Sequence, residues 1–269
     1  MKNNAINYKF AFVTIMIAYI IAQVGVIYFK PDWERYLPLL QFLFFLIPVI
    51  IITEDNFILQ YKINFKFPAN VIPAIFWILV GISFIEIGCD IVIRTTLPSS
   101  IVDIYNSMLR TYNDTISTML LNNSNSILEF TIISSCFAIT PAVCEEVFFR
   151  GYLMQNIEKK NSVRKSIIFS AFIFALIHFN VAGIVFLFVV GLCLGYLFYY
   201  TGSIIPPIIL HLLNNLLVIL SVNYYYGEQI AITNNTFGIV SLIIGLIVLF
   251  IAFKKLKTAP NNFAIKKNI

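Results

Sequence analysis

Two glutamates and an arginine stand together as Glu145-Glu146-Val147-Phe148-Phe149-Arg150 within one apolar run, and both histidines of the chain, His178 and His211, stand within two others. An Asp, Lys or Arg at the centre of a membrane helix costs about 2.5–3.5 kcal/mol on insertion scales, so such residues are rare and usually functional. A buried glutamate can serve as general base toward water, and a histidine can pass the proton to a leaving amine. His211 and Asn215 can donate hydrogen bonds to a developing oxyanion. That set suffices for amide hydrolysis. The same Glu145, His178 and His211 could instead hold a catalytic zinc with an open position. Those ligands would come from three separate helices, and the chain contains no HExxH. Cys144 adjoins Glu145, but its apolar neighbours argue against a thiolate nucleophile.

Helical spacing sorts the groups. Glu146 and Arg150 are at i,i+4 and can pair, as a structural support for the site. Glu145 points about 100° away and stays free. His211 and Asn215 share a face, and Phe174 lies one turn before His178, so its ring can pack beneath the imidazole. At about 1.5 Å per residue, Glu145 lies roughly 13 Å from the inner end of its span, His211 and Asn215 roughly 10 and 16 Å, and His178 roughly 20 Å. His178 therefore needs helix tilt or a later helix start to join the layer. Pro141, one turn before Glu145, removes a backbone hydrogen bond to Phe137 and should kink the helix, either to open a wet cavity or only to pack.

The elements that must position these groups follow from composition. Of 269 residues 59% are apolar or aromatic and 12% charged, against about 45–50% and 25% in soluble domains. Disorder is excluded, and four scattered cysteines make neither a zinc knuckle nor a disulfide framework. Apolar runs near the 20 residues that cross a bilayer occupy roughly 8–29, 37–53, 71–93, 127–153, 165–180, 182–200, 204–222 and 236–253. The first is too long for a signal-peptide core and is expected to be a retained span. With the N-terminus inside, alternation puts 13 Lys and Arg in inner segments and 4 in outer ones (Lys30, Arg35, Arg94, Arg110), with Arg150 inside a span. That asymmetry supports eight spans. The expectation is an all-α polytopic membrane protein, 1–269 as a single domain, with about eight transmembrane helices, both termini cytoplasmic and a basic cytoplasmic tail at 254–269. The basic residues lie in short loops between spans, which speaks against a nucleic-acid partner. The stretch 94–126 reads as a polar outer loop. Glu86, Asp90 and Arg94 read as a salt-bridged helix end. Gly191 and Gly195 suit close helix packing.

At these residues the sequence resembles the intramembrane proteases of the CAAX prenyl endopeptidase type II and bacteriocin-processing class, abbreviated CPBP or Abi. EExxxR stands as Glu145-Glu146-Val-Phe-Phe-Arg150 followed by Gly151, FxxxH as Phe174-Ala-Leu-Ile-His178 with Ser170 one turn earlier, and HxxxN as His211-Leu-Leu-Asn-Asn215. Three motifs in order on separate spans form a specific signal, covering a core of about 127–222. The resemblance implies an eight-span enzyme with a cavity open to the cytoplasm. It implies that Glu145 with His178 activates water, that His211 with Asn215 holds the oxyanion, and that Glu146, Arg150 and Phe174 support the site. The family carries the label metalloprotease, and a metal-independent glutamate mechanism is also argued for it. No cofactor is required by the metal-free route; zinc remains open.

The expected partners are the lipid bilayer and a membrane-associated protein or peptide substrate. The Asn, Ile, Lys and Phe bias points to an AT-rich, bacterial genome and so to the bacterial cell membrane. Two other classes fit the same residues: a non-enzymatic membrane immunity or scaffold protein protecting against a bacteriocin, and a proton-coupled transporter relaying through Glu145, Glu146 and His178.

Overall fold

The computed structural model describes residues 13–22, 40–53, 62–117, 127–225 and 235–257, and among them the only regular secondary structure is helical. Parts of the first expected span, the Asn-rich end of the 94–126 segment and the tail beyond Lys257 lie outside the described residues. The helices are α1 (Val13–Ala22); α2, a π-helical turn Phe42–Leu46 running into Ile47–Thr53; α3 (Val71–Thr96); α4 (Ser99–Ser117); α5 (Ile127–Glu146), which continues as the π-helical Val147–Met154 and Gln155–Glu158; α6 (Val163–Leu176); α7 (Ile184–Thr201); α8 (Ile205–Tyr225); and α9 (Asn235–Lys257).

Local chemistry sets the boundaries. Pro98 forbids a helical residue before it, and Leu97 accordingly ends α3 in an extended conformation. The Ser162 hydroxyl accepts from the Lys165 amide at the start of α6, satisfying one of the free donors there. Gly202 ends α7 with φ 61°, the left-handed conformation that a glycine adopts without a steric penalty.

Among the described residues, four helical stretches are long and apolar enough to cross a bilayer: Val71–Thr96, Thr131–Glu158, Ile184–Thr201 and Asn235–Lys257. Shorter apolar helices lie at Val13–Ala22, Phe42–Ile51 and Ile205–Ser221. Exposed Ile, Leu and Phe side chains on these helices form the outer surface, as a lipid-facing surface requires. The chain is an integral membrane protein built from helices.

The stretch 94–126 departs from the expected loop, because Ser99–Ser117 is a helix. Ile101, Tyr105, Met108 and Tyr112 recur at helical spacing, and a segment with one apolar face folds as a helix along a polar–apolar boundary. Tyr105 pins it to α3 by donating to Asp90 at 2.9 Å, while Arg94 bonds Asp90 at 2.8 Å and also reaches Asn106. The salt-bridged helix end is thus Asp90 with Arg94; Glu86 takes no part in that pair.

α3 and α9 meet along a glycine-lined seam. A Cβ added at Gly88 would sit 2.8 Å from the Gly238 carbonyl oxygen, and one at Gly245 would sit 2.8 Å from that of Gly81. Only bare backbones approach so closely. Gly191 makes the equivalent approach of α7 to Ala171 on α6, and Gly195 to Ile167, as their spacing led us to expect.

One end of the bundle is tied across several loops. The Ile204 amide donates to Lys62, Ser203 Oγ donates to the Asn64 carbonyl, and Asn70 Nδ2 donates to the Lys255 carbonyl. Lys62 also lies over the Phe198 ring. Loop 62–70, the α7–α8 junction and the end of α9 therefore gather on one side.

Candidate active site

The paired glutamates sit where α5 changes to its π-helical segment, one turn after Pro141. Such local widenings of a helix are frequent at functional sites. The two carboxylates divide the surroundings between them.

Glu146 is fully buried and its Oε1 accepts two hydrogen bonds, from Arg150 Nη1 at 2.7 Å and from His211 Nδ1 at 2.8 Å. Arg150 is also fully buried, and its Nη2 donates to the Gly191 carbonyl at 2.9 Å. Its guanidinium lies 4.8 Å from the Phe174 ring centroid, within cation–π range. A buried ion costs several kcal/mol unless paired and hydrogen-bonded; here the pair and the Gly191 carbonyl meet part of that need, while Glu146 Oε2 and Arg150 Nε find no hydrogen-bond partner among the described residues. The expected Glu146–Arg150 pair is present. Its direct link to His211 was not legible from the spacing, since the two residues lie 65 positions apart.

Glu145 is 2% exposed. Its Oε1 accepts from Gln41 Nε2 of α2 at 2.7 Å. Among the described residues its Oε2 has no hydrogen-bond partner, and it faces both imidazoles, 3.8 Å from His178 Nε2 and 4.0 Å from His211 Nε2. Three helical segments thus bring the carboxylate and both histidines together.

His178 does not lie within a helix as expected. α6 ends at Leu176, and His178 occupies the turn that follows. Its Nδ1 lies 2.7 Å from the Phe174 carbonyl oxygen. Phe179 follows with φ 49°, a left-handed conformation uncommon outside glycine. The reversal at Phe179 ends the helix early and leaves the imidazole turned toward Glu145. His178 is also the open member of the site, with 27% of its side chain exposed against 3% for Glu145.

A carbonyl and a carboxylate only accept hydrogen bonds, so each neutral histidine carries its proton on Nδ1 and turns a bare Nε2 inward. Three acceptors (two Nε2 atoms and Glu145 Oε2) then face one point. Such a point calls for a donor or a positive charge. The gaps exceed a direct hydrogen bond, and a bridging water fits separations of this size.

Phe174 packs between the two histidines, with ring centroids 4.7 Å from His178 and 5.7 Å from His211. Ser170, a turn earlier, donates to the Phe149 carbonyl at 3.3 Å and ties α6 to the π-helical segment. Cys144 is fully buried in the hydrophobic core. Asn215 is placed apart from the other three. Its Nδ2 donates to the Ala138 carbonyl at 3.4 Å, seven residues before Glu145 and about 10 Å along α5.

Glu145, His178 and His211 are chemically suitable zinc ligands. At zinc bond lengths of about 2.0–2.2 Å, tetrahedral ligand atoms stand roughly 3.3 Å apart, closer than the 3.8 and 4.0 Å observed. Among the described residues no group of three or more His, Cys, Asp or Glu is arranged to hold a metal ion. The set as it stands does not fit zinc.

Gln41 is the site residue that motif reasoning missed. The available signal was compositional: Gln41 and Thr53 are the only polar side chains in the run 37–53.

No curated protein and no solved structure matched the chain. A family model did match: residues 127–217 correspond to the type II CAAX prenyl endopeptidase Rce1-like family. The match covers about a third of the chain, from the start of α5 to the middle of α8, and includes Glu145, Glu146, Arg150, Phe174, His178, His211 and Asn215. The chain is therefore an integral membrane protein whose residues 127–217 match the Rce1-like type II CAAX prenyl endopeptidase model.

Proposed function

We propose that this protein is an intramembrane endopeptidase that hydrolyses a peptide bond of a membrane-associated protein or peptide, with Glu145 as general base. The observation that carries the reading is the convergence of Glu145 Oε2 on the Nε2 atoms of His178 and His211.

A water in that gap donates one proton toward Glu145 and one toward an imidazole. Glu145 takes a proton as the water oxygen adds to the scissile carbonyl carbon. The carbonyl π bond opens and its oxygen becomes the oxyanion. His211 holds the oxyanion from Nε2 in its imidazolium form, whose extra proton comes from solvent before the reaction and stays on His211 throughout, while its Nδ1–H stays on Glu146. The Asn215 amide gives a second donor once it leaves the Ala138 carbonyl. The proton held by Glu145 passes through His178 to the amine nitrogen as the C–N bond breaks. An acid and an amine leave, and Glu145 is again a carboxylate. Glu146, Arg150 and Phe174 hold His211 and His178 in register. Preorganised donors of this kind contribute about 2.7–4 kcal/mol each to the transition state.

The loop contacts that gather Lys62, Ser203 and Lys255 at one end of the bundle support a topology of eight spans with both termini cytoplasmic. On this reading 127–222 is the motif-bearing core of one domain, 254–269 is a basic cytoplasmic tail, and the host membrane is a bacterial cell membrane. The test is cleavage of a membrane-peptide library by purified protein in proteoliposomes. The wild type should cut a subset, whereas Glu145→Gln, His178→Ala and His211→Ala should cut none while remaining folded in the membrane. Undiminished cleavage by Glu145→Gln overturns the mechanism.

A further inference from the structure

We propose that Gln41, outside the family-matched residues, is a positioning residue that sets which oxygen of Glu145 faces the histidines. The inference rests on Glu145 being the general base. A carboxylate on a flexible side chain can present either oxygen, or neither, to a reaction partner. Here Gln41 Nε2 donates to Oε1 at 2.7 Å, and both side chains are buried. With Oε1 occupied, Oε2 is the oxygen left without a partner, and it is the one turned to both imidazoles.

The amide orientation follows from the same contact. An acceptor cannot be placed 2.7 Å from a carboxylate oxygen, so the Gln41 nitrogen must face Glu145. The Gln41 carbonyl oxygen is thereby left buried with no hydrogen bond among the described residues. A side chain kept for packing alone would not need to strand an acceptor there. Tyr19 of α1 lies close to both Gln41 and Glu145. The amide is held from behind by packing as well: Phe45, one turn on from Gln41, stacks on Phe148 with centroids 4.7 Å apart. Thus α2 is locked onto the π-helical segment right beside the glutamates. The Rce1-like domain supplies the reacting groups, and α2 supplies the hydrogen bond that orients one of them.

The experiment compares wild type, Gln41→Met and Gln41→Asn in proteoliposomes. Met keeps the side-chain length without a donor, and Asn withdraws the amide by one methylene. Two readouts are taken. One is steady-state cleavage of an internally quenched peptide ending in farnesylated Cys-Val-Ile-Met. The other is the infrared carboxylate stretch assigned to Glu145 as the band missing from Glu145→Gln. For Gln41→Met, kcat should fall about 10–100-fold with KM within threefold, the size expected when a catalytic group loses its alignment, and the Glu145 band should move. Gln41→Asn should fall between the two in both readouts. Wild-type kcat together with an unmoved band in Gln41→Met overturns the proposal, as does a change confined to KM. If the wild type leaves the peptide uncut, the protease reading fails on that substrate, while the infrared comparison still decides whether Gln41 holds the Glu145 carboxylate.

Discussion

The α3–α9 seam and the polar centre among α2, α5, α6 and α8 join helices by opposite means. In the seam, Gly81, Gly88, Gly238 and Gly245 remove side chains so that backbones touch. In the centre, full-sized charged side chains are buried and tied: Arg150 to Glu146 and Gly191, Glu146 to His211, Glu145 to Gln41. Lipid provides no hydrophobic drive for helices to associate, so packing and hydrogen bonds must do it. The seam uses the first and the centre the second. Only the centre keeps a buried oxygen without a partner that faces two imidazoles. Substitutions in the seam should thus change how much folded protein exists, and substitutions in the centre what each folded molecule can do.

The largest expected effect is in the centre. Glu145→Gln keeps the shape and the Gln41 neighbour but removes the base, and turnover should fall by about 10³-fold or more, measured by initial rates on equal amounts of folded protein. A smaller drop would mean the base lies elsewhere. Next comes Arg150→Met, which breaks the distinction on purpose. It leaves Glu146 buried without its counter-ion and should cost about 3–5 kcal/mol of stability, read as a fall in the thermal midpoint in detergent together with lost activity. In the seam, Gly88→Val drives a side chain into the Gly238 carbonyl. Overpacking of this kind costs about 1–3 kcal/mol, while kcat per folded molecule should stay at the wild-type value; a changed kcat would show the two regions to be coupled. The smallest effect is a null one. Dialysis against a strong chelator should leave the cleavage rate unchanged, and a loss restored by added zinc would replace the water-only mechanism with a metal one.

What the sequence made legible follows the reach of each signal. The i,i+4 spacings placed Glu146 with Arg150 and Phe174 beneath His178, because helical periodicity is local. Depth along the spans and the resemblance together placed Glu145, His178 and His211 in one site, although they lie far apart in the chain. Gln41 was lost because a single amide in an apolar run has no spacing to interpret, and its partner is 104 residues away. The α4 helix was lost because Ser, Asn and Thr obscured its apolar stripe. His178 was expected inside a span because apolar residues continue past Leu176; the left-handed Phe179 that turns the chain leaves no trace in composition. Asn215 lies on the expected face of α8 yet bonds Ala138, a contact that depends on how α8 lies along α5.

The two imidazoles are mounted differently. His211 is fastened to another helix, through Glu146 and onward to Arg150 and Gly191, so α8 cannot slide along α5 without parting the His211–Glu146 and Asn215–Ala138 hydrogen bonds together. His178 is fastened to its own turn, through the Phe174 carbonyl. The place of that imidazole depends instead on how α6 is packed, with Ser170 on the Phe149 carbonyl and Ala171 against Gly191. One imidazole is thus anchored through buried charge and the other through the end of its own helix.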